Sequence, residues 1–143
     1  MSPELSEDLT ARFAEKFIEY AINYAQEEGS RISFRHEKLA YQFKPNSQVD
    51  VRAIDDGRIE NEINDKKFQV AVLECKRKIS YFTESGKPSI SDKVLAQRVG
   101  QALAQRRHES KVLLSQDNSI TIHAASHFIR FFHFQTTASY MDT

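Results

Sequence analysis

An acidic and a basic side chain lie two residues apart where the most apolar segment of the sequence ends. Residues 70–73 read Val-Ala-Val-Leu and lead directly into Glu74, Cys75 and Lys76. Alternate residues of a strand lie about 6.5 to 7 Å apart and point to the same side, so Glu74 and Lys76 share one face of the predicted strand. A carboxylate beside an ammonium group is suited to metal-assisted phosphodiester hydrolysis, and a surface ion pair is the alternative interpretation.

Asp50 supplies a second carboxylate on an earlier predicted strand. Residues 48–54 alternate between apolar and polar types, with Asp50 on the polar side. A hairpin over residues 55–67 would make this strand the antiparallel neighbour of the strand that ends in Glu74, and both carboxylates would then bind one divalent cation. Mg²⁺ prefers oxygen ligands, with Mn²⁺ as the alternative, and Lys76 would orient the attacking water or contact the phosphate.

The composition predicts one globular domain that spans residues 1–143. Hydrophobic residues make up 40% of the chain and charged residues 28%, which is enough for a modest core. Cys75 is the single cysteine, so an internal disulfide is excluded and a reducing intracellular location, nuclear or cytoplasmic, is expected. The first ten residues are acidic and polar, and no apolar run reaches the length of a membrane span. We therefore expect a soluble protein without a cleaved signal.

Charge is unevenly distributed along the chain. The formal net charge is zero, which argues against a protein that coats nucleic acid by bulk attraction. Acidic residues are frequent before residue 29, whereas basic residues outnumber acidic ones between Lys76 and Lys111. This basic half could contact a phosphate backbone, or it could be the solvated surface of a helix and a loop.

Apolar periodicity predicts two helices that position these strands. The first helix is predicted from residue 6 to about residue 28, ends before Gly29, and is expected to pack by one side. Its recurring apolar residues are Phe13, Phe17, Tyr20 and Tyr24, with Ala14, Ile18, Ala21 and Ala25 beside them. The second helix is predicted from Ser89 or Ser91 to about residue 109. Its expected core stripe is Val94, Leu95, Val99, Ala102 and Leu103.

The remaining segments predict strands and connections. Strands are predicted over residues 48–54, 68–78, 120–124 and 128–134, with turns at 55–57 and 125–127. Residues 31–43 fit either a short strand or a helical turn, and residues 58–67 fit either a hairpin arm or an exposed loop. Residues 81–88 contain Gly86 and Pro88 and are predicted to form a surface loop. The order of elements predicts an α/β or α+β sandwich around a mixed sheet.

These residues resemble the motif of the PD-(D/E)XK nuclease superfamily, which has the restriction-endonuclease-like fold. The similarity lies in Asp50, Glu74-Cys75-Lys76, and the pair Gln97 and Gln101 of the following helix, as in RecB-like and archaeal Holliday-junction-resolvase-like members. Val49 stands where the family name has proline. The resemblance extends over almost the whole chain as the element order α-β-β-β-α-β. It implies an α/β fold with a mixed sheet flanked by helices.

The resemblance implies a Mg²⁺-dependent nuclease. Asp50 and Glu74 would be the metal ligands and Lys76 the catalytic lysine, and a helix glutamine, preferably Gln97, would support them. The superfamily often takes another acid from the first helix, but Glu15 and Glu19 are expected to be solvated surface residues in this chain. The last two strands also resemble the end of nuclease modules in type I restriction subunits and fungal crinkler-like proteins.

The leading hypothesis is therefore a nuclease that cuts DNA, with RNA as the alternative substrate. Candidate phosphate contacts are Arg77, Lys78, Lys87 and Arg98. A homodimer through the apolar final strand, and a place within a larger protein, are compatible with the resemblance. A second hypothesis is a catalytically inactive nuclease-fold module that binds nucleic acid or a protein, and a third is an unrelated α/β binding protein.

Other reactive residue types give no clear pattern. The five histidines, His36, His108, His123, His127 and His133, show no pairing that predicts a zinc site. Cys75 is predicted to be a small buried core residue rather than a nucleophile, because it points away from the face of Glu74.

Overall fold

The chain forms a mixed α/β structure in which a mostly antiparallel five-stranded sheet is flanked by two helices. The computed structural model describes residues 7–46, 49–77, 81–107, 118–126, 128–137 and 139, without the side chains of 42–51, 81 and 105–107. The helices are α1 (Glu7–Ala25) and α2 (Asp92–Arg107). The strands are β1 (Ile32–Arg35), β2 (Ala40–Asn46), β3 (Val49–Ile54), β4 (Gly57–Ile63), β5 (Lys66–Lys76), β6 (Tyr81–Phe82), β7 (Pro88–Ser89), β8 (Asn118–Ala125) and β9 (Phe128–Gln135).

Strand β5 is the centre of the main sheet. The strand order is β1-β4-β5-β8-β9, and all neighbours are antiparallel except β5 and β8. A parallel pair needs a long crossover connection, and α2 lies within the crossover between β5 and β8. Residues 71–73 are buried as an unbroken apolar run, which is typical of a strand covered on both faces.

The two faces of β5 pack against different partners. Leu73 and Cys75 belong to a core cluster that contains Ala14 and Ile18 of α1. Val72 packs on the opposite face with Tyr41 of β2 and Ala104 of α2. Because side chains alternate along a strand, Glu74 and Lys76 follow Val72 onto the α2 face.

Several sequence predictions are confirmed. The 68–78 strand corresponds to β5, and the two predicted C-terminal strands form the β8–β9 hairpin. Two segments that the sequence left open are also strands in the structure: residues 58–67 belong to the β4–β5 hairpin, and residues 31–43 contain β1 and most of β2. Ser91 caps α2, since its Oγ accepts a hydrogen bond from the Val94 N–H at 3.3 Å.

The predicted neighbour of β5 is wrong. Strand β3, which contains Asp50, pairs with β2 in a separate two-stranded sheet, and β4 occupies the antiparallel position beside β5. The reason lies in the Asn64-Asp65 turn, whose two residues have φ of 51° and 61°, values that fit a tight two-residue hairpin. This turn pairs β5 with the strand immediately before it, while β8 takes the other edge of β5.

The predicted loop over residues 81–88 lies at the surface, with residues 82–87 exposed, and its ends pair as the small β6–β7 sheet. One further prediction is corrected. The aromatic residues of α1 were expected to pack by one side, but Phe13, Phe17, Tyr20 and Tyr24 are exposed. Helix α1 instead buries Thr10, Ala14 and Ile18, and the last two pack with Leu73 and Cys75 of β5. Neither α1 nor α2 has the length and apolar character needed to cross a membrane.

Candidate functional site

The site lies where β5 and β8 end side by side. Glu74 and His123 are register partners in these parallel strands, and Lys76 lies two residues beyond Glu74 beside Ala125. Their side chains face α2, which returns the chain across this side of the sheet. The parallel pairing therefore brings residues almost fifty positions apart in sequence to one edge of the fold.

Glu74 is held by three donors. Its Oε1 lies 3.5 Å from Lys76 Nζ and 3.4 Å from Arg98 Nη2, and its Oε2 accepts a hydrogen bond from Gln101 Nε2 at 3.3 Å. All three distances are longer than the 2.7 to 3.0 Å of strong charge-assisted hydrogen bonds. The carboxylate is thus oriented by its neighbours while remaining partly exposed to solvent.

Arg98 and Gln101 form a polar pair on the inner face of α2. They lie three residues apart, on the same side of the helix, and Arg98 Nη1 donates to Gln101 Oε1 at 3.0 Å. Arg98 is only 2% exposed. A buried guanidinium needs an opposite charge, and Glu74 supplies it. Arg98 Nε is buried without a hydrogen-bond partner, so this group is incompletely satisfied.

A cavity of about 310 Å³ adjoins Lys76. One side is cationic and includes Lys76, Arg77 and Arg130, while Glu7 at the start of α1 is the one acidic residue in the lining. Apolar side chains complete the wall, namely Ile90, Val94, Phe128 and Ile129. A cavity with both cationic and apolar walls can accept an anionic group attached to a flat apolar one.

His123 is a buried imidazole in the wall of this cavity. It is 8% exposed, and its Nδ1 is buried without a hydrogen-bond partner. Burial, followed by the positive charges of Arg98, Lys76 and Arg130, lowers the pKa of His123 to about 4. His123 is therefore neutral at pH 7, and the lowered pKa reflects the positive charge that surrounds the site.

Asp56 is the acidic residue that the fold brings to the Glu74 segment. It lies immediately before β4, and its backbone N–H donates to the Leu73 carbonyl at 2.9 Å. Its Oδ2 accepts a hydrogen bond from the Cys75 N–H at 2.7 Å, and its Oδ1 lies 3.3 Å from Lys38 Nζ. The Asp56 carboxylate thus reaches the backbone of the residue that follows Glu74.

The predicted site residues divide into two groups. Glu74 and Lys76 lie together as expected. Gln101 contacts Glu74, whereas Gln97, the glutamine preferred from the sequence, is exposed. The physical reason is the direction of α2, whose packed face includes Arg98 and Gln101. The side chain of Asp50 lies outside the described residues.

The other predicted residues lie away from Glu74 or play a different part. Glu15 and Glu19 belong to α1, which packs on the opposite face of the sheet, and Glu19 pairs with Lys16 at 2.9 Å. Arg98 was a candidate phosphate contact, but its burial beside Glu74 makes it part of the site's internal charge balance. Lys78 lies outside the described residues.

Sequence reasoning missed the contributions of Asp56, His123 and Arg130. Asp56 lies in the predicted turn at 55–57, and its position just before a hairpin arm predicts proximity to the end of the partner strand. His123 forms no metal-binding pair with another histidine in the sequence. No sequence spacing links Arg130 to Lys76.

The donor set restricts which metal ion the site could hold. No group of three or more His, Cys, Asp or Glu side chains is placed to bind an ion in the described ranges. A structural zinc site requires four ligands, mostly Cys and His, and the described side chains do not supply such a set. Mg²⁺ requires less from the protein, because one or two carboxylates suffice when water and substrate phosphate complete the shell. Glu74 and Asp56 fit that requirement in ligand chemistry.

Comparisons with known proteins give no identification. No protein-family model, curated protein or solved structure matches the chain.

Proposed function

We propose that the protein is a metal-dependent nuclease that hydrolyses phosphodiester bonds, with DNA preferred over RNA. The observation that carries the proposal is the convergence of Glu74, Lys76 and Gln101 beside a cationic cavity. The element order supports it as well. With the β2–β3 and β6–β7 hairpins treated as insertions, α1, β1, β4, β5, α2 and β8 follow the α-β-β-β-α-β order of the restriction-endonuclease-like fold.

Glu74 and Asp56 are the proposed ligands for Mg²⁺, with Mn²⁺ as the alternative ion. Asp56 is preferred over Asp50 because it lies beside the end of β5, whereas Asp50 is on a strand of another sheet. When bound, the ion would lower the pKa of a water ligand and offset charge on the phosphate. Arg98 and Gln101 are positioning residues that orient the Glu74 carboxylate.

Lys76 is the proposed catalytic lysine. Its side chain is 40% exposed and adjoins the cavity, so the ammonium group can reach a phosphate oxygen while keeping its contact with Glu74. Arg130 lies on the same cavity wall, where its guanidinium also donates to the Pro88 carbonyl at 2.8 Å. These two cations would hold the phosphate, and the negative charge that develops during hydrolysis would be stabilised by Lys76.

The test is cleavage of plasmid and single-stranded DNA with Mg²⁺ or EDTA. We expect wild-type cleavage only with the metal, and a loss on the order of 100-fold or more in Lys76→Ala and Glu74→Gln. Lys67→Ala is the matched control, because Lys67 is exposed at the other end of the same strand. Cleavage that survives EDTA or Lys76→Ala would refute the proposed mechanism.

The same assay distinguishes the two candidate aspartates. Asp56→Asn should abolish cleavage, and Asp50→Asn should leave it unchanged if Asp56 is the ligand. The opposite result would return the role to Asp50. The Asp56→Asn variant should fold, because the Asn side chain keeps an oxygen that can accept the hydrogen bond from the Cys75 N–H. Circular dichroism checks its folding.

A second candidate function is a catalytically inactive module of this fold that binds nucleic acid or a protein partner. The observation that favours it is the charge balance of Glu74, because Lys76 and Arg98 both lie beside its carboxylate. In that case, no cleavage should occur with Mg²⁺ or Mn²⁺, and wild type and Glu74→Gln should bind DNA equally well. Cleavage by wild type that is lost in Glu74→Gln excludes this candidate.

A further inference from the structure

Helix α1 carries a row of exposed aromatic side chains, here called the aromatic stripe. The exposed fractions are 55% for Phe13, 49% for Phe17, 70% for Tyr20 and 82% for Tyr24. The rings of Tyr20 and Tyr24 are stacked with centroids 6.1 Å apart, so they form a continuous surface. Large apolar side chains that are clustered and exposed mark an interaction surface.

The spacing of the aromatic stripe fits a second helix. Its members are separated by four, three and four residues, which is the spacing of successive d and a positions in a coiled coil. At 3.6 residues per turn, the stripe lies roughly 110° around the helix from Ala14 and Ile18, which bind α1 to its own sheet. Helix α1 therefore has one face for its own core and a separate one for a partner.

The exposed area matches what a pair of such helices needs. With about 200 Å² for each aromatic side chain, the four exposed fractions amount to about 500 Å² on one chain. Two copies would bury at most about 1,000 Å² through these side chains alone, which is the lower limit of a specific interface. Contacts from neighbouring residues of the helix add to this area.

We infer that the aromatic stripe pairs α1 with α1 of a second copy of this chain in an antiparallel arrangement. Phe13 then faces Tyr24 of the second copy, and Phe17 faces Tyr20. The antiparallel orientation follows from the helix dipoles, because it places the N-terminus of each α1 beside the C-terminus of the other copy, whereas a parallel pair would place like ends together. The inference is independent of the proposed nuclease activity.

The oligomeric state of the full chain tests this inference. Sedimentation of the wild type from about 1 to about 200 µM should show a monomer that converts to a dimer with concentration. The double variant Tyr20→Glu, Tyr24→Glu should form the dimer only at a protein concentration about tenfold higher or more, because it places charges in the apolar interface. Both side chains are largely exposed, so circular dichroism should show an unchanged fold.

Phe131→Glu is the matched control, because Phe131 is 65% exposed on the edge strand β9. It should associate like wild type. A wild type that stays monomeric throughout would overturn the inference and leave the stripe to another partner. Loss of the dimer in Phe131→Glu, with the stripe variant unaffected, would overturn it in favour of an interface through the final strand.

Disulfide cross-linking tests the orientation even if a charged variant fails to fold. An oxidised mixture of Phe13→Cys and Tyr24→Cys proteins should form a mixed disulfide dimer. Each variant alone should not, because its two copies of the new cysteine lie about 16 Å apart in the antiparallel pair. Cys75 does not interfere, since burial raises the pKa of its thiol to about 12. Cross-linking of Phe13→Cys with itself would contradict the antiparallel arrangement.

Discussion

Acidification from pH 7 to pH 5 should destabilise the protein through His123. Burial and the neighbouring cations lower the pKa of this imidazole from its ordinary value of 6.5 to about 4 in the folded protein. Between these two values the unfolded chain binds a proton at His123 and the folded chain does not. The free energy of unfolding therefore falls as the pH falls through this window.

The magnitude follows from the two pKa values. Each unit of pKa difference is worth about 1.4 kcal/mol, so neutral His123 contributes about 3 kcal/mol to the free energy of unfolding. This contribution is fully lost below pH 4. The part between pH 7 and pH 5 is about 2 kcal/mol. Such a change is a large fraction of the stability of a small domain, so it is measurable by chemical denaturation. The charges that maintain it come from three elements, namely Lys76 on β5, Arg98 on α2 and Arg130 on β9.

The assay is urea unfolding at pH 7 and pH 5 in the presence of EDTA. His123→Gln should remove most of the 2 kcal/mol dependence, because glutamine does not titrate. His133→Gln is the control, because His133 is exposed on β9 and this variant keeps the buried His123 imidazole. Its pH dependence should match that of wild type. An equal loss of stability in wild type and His123→Gln would show that other groups cause the acid sensitivity and would refute this reasoning.

Two further substitutions test the packing around the site. Gly57→Ala should destabilise the fold by about 2 kcal/mol or more, because a Cβ at this position would clash with the Phe34 ring and lie 2.9 Å from the Arg35 carbonyl oxygen, and thermal unfolding measures the loss. Tyr41→Phe should cost about 1 to 3 kcal/mol, because the Tyr41 hydroxyl contacts Asp55 Oδ2 at 2.7 Å and Gln69 Oε1 at 2.9 Å in a buried environment. Urea unfolding of Tyr41→Phe that matches wild type would mean that water replaces the hydroxyl.

Local residue patterns predicted much of the fold because they depend on neighbours in the chain. The alternation and apolar runs of residues 68–78, 120–124 and 128–134 predicted the central strand and the final hairpin correctly. The apolar periodicity predicted helix α1, but it did not predict which of the two apolar faces of the helix is buried. Both Ala14-Ile18 and the aromatic stripe recur at helical spacing, and only contact with the sheet distinguishes them.

Residues brought together by topology could not be assigned from the sequence. The type and spacing of Glu74 and Lys76 determined that they share one face at the end of β5, since strand alternation is a local property. The tertiary structure decided their partners. Pairing of β4 rather than β3 with β5 placed Asp56 at the strand end, and the parallel crossover placed Arg98, Gln101 and His123 around Glu74. These contacts depend on strand order and helix direction, which are set by the packing of the whole core.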